Sequence, residues 1–193
     1  MDILEIKETI TDLKLHPLIE KRWSPRAFSN EAIDEQDLEK IFTAASWAAS
    51  SMNEQPWQYI YATKDTPEFE QLLQCLNPGN QSWSKNAPVI FVALYRTVYR
   101  KNNRPNRSAL HDLGMANAQL LLQATALNIY GHLLGGFDSS KLEQFLSPGD
   151  ELVPFCMGVL GYLGDPDILE EPHKTREVAE RKRNSLDKIV RKL

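Results

Sequence analysis

Ser50-Ser51-Met52-Asn53-Glu54-Gln55-Pro56-Trp57 joins an apolar helical pattern to an alternating strand pattern, and the chemistry it carries is narrow. Ser50, Ser51, Asn53 and Gln55 offer uncharged donors and acceptors, the set needed to address a sugar-like chain or the edge of a uracil-like ring. A plain connecting turn more often holds glycine or an Asp-Gly pair. Upstream, residues 35–49 place Leu38, Ile41, Phe42, Ala45 and Ala49 on one helical stripe. Asp34 stands in position to cap that helix, with Asp37 in its first turn. Downstream, residues 58–63 (Gln-Tyr-Ile-Tyr-Ala-Thr) alternate and are rich in β-forming side chains, which predicts a strand.

Working outward, Thr66-Pro67 opens a short helix, proline being suited to the first helical position. Val89 to Tyr95 is a continuous apolar run between Pro88 and Arg96, the pattern of a strand buried on both faces. Residues 107–128 are apolar around almost the whole helical circumference, so that helix is buried on most sides. A central helix shared between the core and a dimer interface accounts for it. Residues 138–146 predict a short helix, Val153 to Leu160 another buried strand, and 175–192 a basic helix or arm. At the N-terminus, Ile3, Ile6, Ile10 and Leu13 predict a helix over 2–14. Strands separated by helices predict a mixed sheet with helices on both faces.

The chain has 193 residues, and no repeat, low-complexity tract or long linker divides it, so 1–193 reads as a single domain with 170–193 as a basic C-terminal arm. Twenty-two basic against 26 acidic residues give a net charge of −4, which makes no electrostatic case for nucleic acid. No stretch approaches the roughly 18 apolar residues of a membrane span, and the interleaved charges of residues 1–8 do not form a signal peptide. Cys75 and Cys156 are far apart and make neither a disulfide framework nor a zinc site; Cys156, inside an apolar run, reads as a core thiol. A soluble cytoplasmic protein is expected.

Several familiar catalytic patterns are missing. Gly158-x-x-Gly161-x-x-Gly164 is not the dinucleotide fingerprint, and Asp165-Pro166 blocks the helix that fingerprint must open. There is no phosphate-binding G-x-x-x-x-G-K-[ST] loop and no G-x-S-x-G elbow. His16, His111, His132 and His173 are scattered without metal-ligand spacing, so no metal is expected. Two segments join Ser50–Trp57 in rising above this background. Arg22-x-Ser24-x-Arg26 sets two planar guanidinium groups around a serine, a loop suited to an anion. Gly131-His132-Leu133-Leu134-Gly135-Gly136-Phe137 places adjacent glycines where backbone N–H groups can approach a flat ligand.

The order R-x-S-x-R-x-F, S-S-x-N-x-Q-P-W, G-x-x-x-G-G-F and a closing basic R-x-R resembles the nitroreductase family over nearly the whole chain. Trp83-Ser84-Lys85-Asn86-Ala87-Pro88-Val89 and Asp112-Leu113-Gly114-Met115-Ala116 are similar to that family as well. The resemblance implies an α+β, three-layer α-β-α fold around a central mixed, mainly antiparallel sheet. It also implies an intertwined homodimer with flavin mononucleotide (FMN) at the interface.

By the same resemblance, Arg22, Trp23, Ser24 and Arg26 line one side of the flavin, Arg22 on the phosphate and Arg26 at the pyrimidine edge. Ser50, Ser51 and Asn53 come from the partner chain, with Gln55 nearby. Asn80 touches the ring, Gly135 and Gly136 present N–H groups to its O4/N5 edge, and Arg181 and Arg183 close on the phosphate. Lys174 and Arg176 have similar spacing and remain the alternative pair. Trp23 and Met52 depart from the family's usual residues.

The activity implied is transfer of hydride from NAD(P)H through the flavin to a nitroaromatic, quinone or similar electron-poor small molecule, by ping-pong alternation. Flavin N5 carries the chemistry, so no catalytic protein residue is expected. The resemblance equally permits dehalogenation, enone reduction, dehydrogenation or a non-catalytic flavin sensor or store.

Overall fold

The computed structural model describes residues 3–9 and 11–193. Its elements run α1 (Ile3–Ile6), α2 (Pro17–Lys21), α3 (Glu35–Ser46), β1 (Trp57–Thr63), α4 (Pro67–Cys75), α5 (Pro78–Ser84), β2 (Val89–Arg96), α6 (Ala109–Ala126), β3 (Tyr130–Leu134), α7 (Ser139–Leu146), β4 (Leu152–Gly161) and α8 (His173–Glu177). Single turns of 3-10 helix lie at Ser51–Asn53, Pro166–Ile168 and Leu186–Lys188.

Helix starts follow capping chemistry. The Asp34 carboxylate accepts from the Gln36 N–H at 2.8 Å, Thr66 Oγ1 from Phe69 at 3.2 Å, and Asp138 from Lys141 at 3.0 Å. Each satisfies a first-turn N–H that has no partner within its own helix. The N-terminal expectation does not hold in full. Only Ile3–Ile6 is helical, and residues 12–16 turn away from helix before α2 begins. The spacing of Ile3, Ile6 and Leu13 was coincidental beyond the first turn. Ile10 lies outside the described residues.

The four strands order as β1-β2-β4-β3, and each hydrogen-bonded pair is antiparallel. The mixed sheet expected from the strand-helix-strand order is corrected here. The crossover through α6 does leave β2 and β3 pointing the same way, but β4 inserts between them, so no parallel pair forms among the described residues. At the β2–β4 pairing a shift between Ala93 and Leu94 loops Phe155 out next to Pro154. A proline that cannot donate to the ladder is tolerated at such a bulge.

β2 is the spine of the core. Ile90, Val92 and Leu94 face one cluster with Phe69, Leu72 and Cys75 of α4, Trp83 of α5 and Leu142 of α7. Val89, Phe91 and Ala93 face the other, with Leu38, Ile41 and Ala45 of α3 and Leu113, Ala116, Leu120 and Ala124 of α6. Helices cover both faces, giving three layers. Each buried Phe, Leu or Ile contributes about 1.5–3 kcal/mol relative to exposure.

The three spaced glycines of β4 and its exit serve packing. A Cβ on Gly158 would lie 2.3 Å from the tip of the Phe91 ring, and one on Gly164 would lie 2.5 Å from the Phe28 backbone carbon. Cys156 is buried as expected, accepts from Asn117 Nδ2, and burial pushes its thiol up to about 11. It is an inert core thiol.

Candidate functional site

The segment Arg22–Ala27 leaves α2 and is gripped from three sides. Glu177, the last residue of α8 and 1% exposed, accepts the Arg26 N–H with both carboxylate oxygens at 3.0 and 2.9 Å and the Ala27 N–H at 3.0 Å. His132 of β3 places Nδ1 2.8 Å from the Pro25 carbonyl. A carbonyl only accepts, so that nitrogen carries the proton. Arg181 donates from Nη1 to the Arg22 carbonyl at 2.8 Å and from Nη2 to that of Glu20 at 2.5 Å. Trp23 is buried between Tyr130, at 6.3 Å edge-on, and the Lys7 ammonium, 4.7 Å above its ring.

Positive charge gathers here. Burial, and then Arg183, push the Arg22 guanidinium below its ordinary value. Burial, and then Arg22 and Arg183, do the same to Arg181. None of these three arginines forms an ion pair with a carboxylate among the described residues. Three like charges held together without a counterion are a standing electrostatic cost, which an anion relieves. Arg26 differs. Burial lowers it as well, but Glu177 opposes the shift while Arg176 adds to it. Burial pushes His132 down to about 4, with Arg26, Arg22 and His173 acting in the same sense, so its ring is neutral at physiological pH.

Asn80 and the paired glycines form the adjoining wall. The Asn77 N–H and Asn80 Nδ2 both donate to the Gly136 carbonyl at 3.0 Å. A Cβ on Gly136 would sit 2.8 Å from Asn80 Nδ2, whereas nothing lies within 4 Å of the equivalent position on Gly135. The missing side chain is what lets α5 close on the loop. One turn along α5, Trp83 lies 4.8 Å from the His132 ring and 5.8 Å beneath the Arg26 guanidinium. Arg26, Trp83, Asn80 and Gly136 therefore belong to one connected region with Arg22, Ser24, Arg181 and Arg183.

Ser50, Ser51, Asn53 and Gln55 stand apart from it. Among the described residues no hydrogen bond or ion pair joins them to the Arg22–Ala27 segment. Met52, Asn53 and Gln55 have φ of 56°, 54° and 50°, left-handed values that side chains other than glycine adopt at a cost. The loop is held open by its own polar groups: Gln55 N–H to Ser50 Oγ at 3.0 Å, and Gln55 Nε2 to Asn53 Oδ1 at 3.2 Å. It is fastened to α6 by the buried Asp112, whose carboxylate accepts the Ser51 N–H at 3.0 Å. Of the alternative basic pair, Lys174 turns to Asp167 at 2.8 Å, and Arg176 is exposed on the Arg26 side.

The family model described as the nitroreductase family matches residues 19–74 and 63–162. The chain belongs to the nitroreductase family. A crystal structure of an oxidoreductase containing FMN is 31% identical and covers 93% of this chain and 92% of its own, with a TM-score of 0.88. A candidate nitroreductase from Desulfovibrio desulfuricans, solved in complex with FMN, is 20% identical, covers 93% and 98%, and has a TM-score of 0.74. A protein of Polynucleobacter asymbioticus named as a candidate NADH dehydrogenase/NAD(P)H nitroreductase is 27% identical over 161 residues, 74% of this chain and 81% of its own. A nitroreductase fold, α+β in three layers, is thus the fold of this chain.

Four residues of the region were not visible as such in the sequence: Lys7, Trp83, His132 and Glu177. Trp83 and His132 sit inside matched segments, but nothing in their spacing says that their rings meet. Glu177 is one of two glutamates within the basic stretch 175–192, and its partners are 150 and 151 residues away. Only the fold reveals that it is buried.

Proposed function

We propose that this chain is an FMN-dependent NAD(P)H oxidoreductase that reduces nitroaromatic, quinone or similar electron-poor small molecules by ping-pong alternation. The observation that carries this reading is the convergence of Arg22, Arg181 and Arg183, without a carboxylate partner among the described residues, on a region shared with Asn80, Gly136 and Arg26. A phosphate dianion supplies the missing counterion, and planar guanidinium groups suit it through paired charge-assisted hydrogen bonds. FMN, when bound, supplies hydride acceptance and release at N5. Arg181 and Arg183, rather than Lys174 and Arg176, are assigned to the phosphate, since Lys174 already has Asp167.

The protein's own part is binding, orientation and electrostatics. Arg22 and Ser24, 3.5 Å apart, with Trp23 behind them, form the phosphate side. Arg26 contributes a fixed positive charge that favours electron uptake by a neighbouring ring. Asn80 and the Gly135-Gly136 backbone present polar groups across from it. Ser50, Ser51, Asn53 and Gln55, which make no hydrogen bond to the Arg22–Ala27 segment among the described residues, complete the site from a second copy. The exposed apolar side chains Trp47 (81% exposed), Met52 (88%) and Leu110 (43%) surround that loop and the start of α6, and support a homodimer through this face. Two buried, unpaired cysteines fit the cytoplasm, and no helix among the described residues is long and apolar enough to cross a membrane.

Initial rates with NAD(P)H and a nitroaromatic or quinone acceptor test the reading. Parallel double-reciprocal lines are expected. Bound FMN without acceptor turnover would make this a flavin sensor or store. Turnover only with halophenols, enones or an oxidisable substrate would replace the acceptor class.

A further inference from the structure

Glu177 is a buried carboxylate beside a site built for an anion, and burial pushes it above the ordinary carboxylate range, so charge alone does not explain its place. Its carboxylate lies with Arg26, and Lys7 is close enough to act on it electrostatically. Its hydrogen bonds explain it better. Both oxygens take the Arg26 N–H, and one also takes the Ala27 N–H, so the carboxylate splints the backbone between the two arginines' loop and the core. Because Glu177 ends α8, the same bonds fix where the following arm begins. Two residues on, the Ala179 carbonyl accepts from Lys7 Nζ. Two more residues bring Arg181 to the carbonyls of Glu20 and Arg22. N-terminal segment, anion loop and C-terminal arm therefore meet at one buried carboxylate.

We propose that Glu177 is a positioning residue for the FMN site, and Lys7 its counter-charge and second strap, together holding Arg22, Arg26 and Arg181 in one arrangement. This rests on the FMN assignment above. The two effects of Glu177 have opposite signs. As a charge it repels phosphate; as a splint it places the groups that bind phosphate. Splinting dominates, because two backbone N–H groups, one of them shared between both oxygens, donate to the carboxylate at contact distance, whereas repulsion is already offset by Lys7 and Arg26.

Glu177→Gln separates the effects. It removes the charge but keeps one oxygen acceptor, and it turns an N–H₂ donor against the Arg26 N–H. Dissociation constants for FMN and riboflavin are to be measured by fluorescence on wild type, Glu177→Gln and Lys7→Met, alongside amide hydrogen exchange of the flavin-free proteins. The expected results are FMN binding weaker by about tenfold in Glu177→Gln, a smaller loss for riboflavin, and faster exchange at Arg26 and Ala27. Lys7→Met should shift both readouts the same way by less.

Unchanged or tighter FMN binding by Glu177→Gln would overturn the proposal, because the splint would then not place the phosphate-binding groups; tighter binding would show that the repulsive charge dominates. Equal loss of both flavins with exchange raised throughout the protein would reduce Glu177 to a general stabiliser and overturn the proposal. A wild-type protein that binds neither flavin would overturn the functional reading, and exchange at Arg26 and Ala27 would then still report whether the splint exists.

Discussion

Replacing Arg183 by alanine removes the most exposed member of the arginine cluster and disturbs the least around it. Among the described residues its side chain hydrogen-bonds only to the neighbouring Lys182 carbonyl, so no long-range hydrogen bond is lost. A charge-assisted hydrogen bond contributes roughly 1.5–3 kcal/mol, but an exposed partner is screened toward about 1 kcal/mol. Arg183→Ala should therefore weaken FMN by roughly five- to tenfold. Arg181 is half-buried and also ties the carbonyls of Glu20 and Arg22. Adding Arg181→Ala should take the loss to at least tenfold and toward about a hundredfold. Riboflavin lacks the phosphate, so its affinity should stay nearly constant. Flavin fluorescence titration at two salt concentrations is the assay, because added salt should weaken FMN more in wild type than in the double variant. Equal weakening of FMN and riboflavin would refute the phosphate assignment.

Three further outcomes follow from the same geometry. Asp112→Ala leaves the Ser51 N–H without its acceptor and should cost about 1–3 kcal/mol; urea unfolding measures it, and weaker FMN binding should accompany it if the Ser50–Gln55 loop serves the partner's site. His132 is held down to about 4 when folded against about 6.5 unfolded, so the unfolded state binds the extra proton between those values. Stability should fall as pH drops from about 6.5 to 4, by up to about 3 kcal/mol from this group, and the slope of urea midpoint against pH should flatten in His132→Gln; an equal slope would reject the buried neutral ring. Gly158→Ala pushes a methyl group into the fully buried Phe91 ring and should destabilise by about 1–3 kcal/mol, with part of the loss recovered in Gly158→Ala/Phe91→Leu on thermal melting.

Elements whose cause is local were legible in the sequence. The run Val89–Tyr95 announced a strand buried on both faces because both helical layers pack on it, and Asp34 announced the start of α3 because its carboxylate does cap Gln36. The helix at α6 was readable too, but within one chain it buries a single face, Leu113, Ala116, Leu120, Leu121 and Ala124, and leaves Leu110 43% exposed, rather than being buried on most sides. Pairing was less legible. β2 and β3 run parallel across α6, and nothing in either strand says that β4 will come between them. No helix was expected at Pro78–Ser84, because proline and glycine disfavour helix interiors, although Pro78 in fact occupies the helix start. The long N-terminal helix failed because a period of a few apolar residues does not require helix beyond one turn.

The site divided in the same way. Arg22, Ser24, Arg26 and the Gly135-Gly136 pair stood out by residue type and spacing. Glu177, Lys7 and His132 did not, because their roles come from contacts made across 107 to 172 residues. A carboxylate in a basic arm reads as a surface charge until the fold buries it.

The most direct measurement is the visible absorption spectrum of the purified protein, before and after anaerobic addition of NADH or NADPH. The account predicts the two visible bands of oxidised flavin, present on purification or after adding FMN, and bleached by the nicotinamide. A protein that stays colourless after incubation with FMN, or whose bound flavin neither nucleotide reduces, would contradict it.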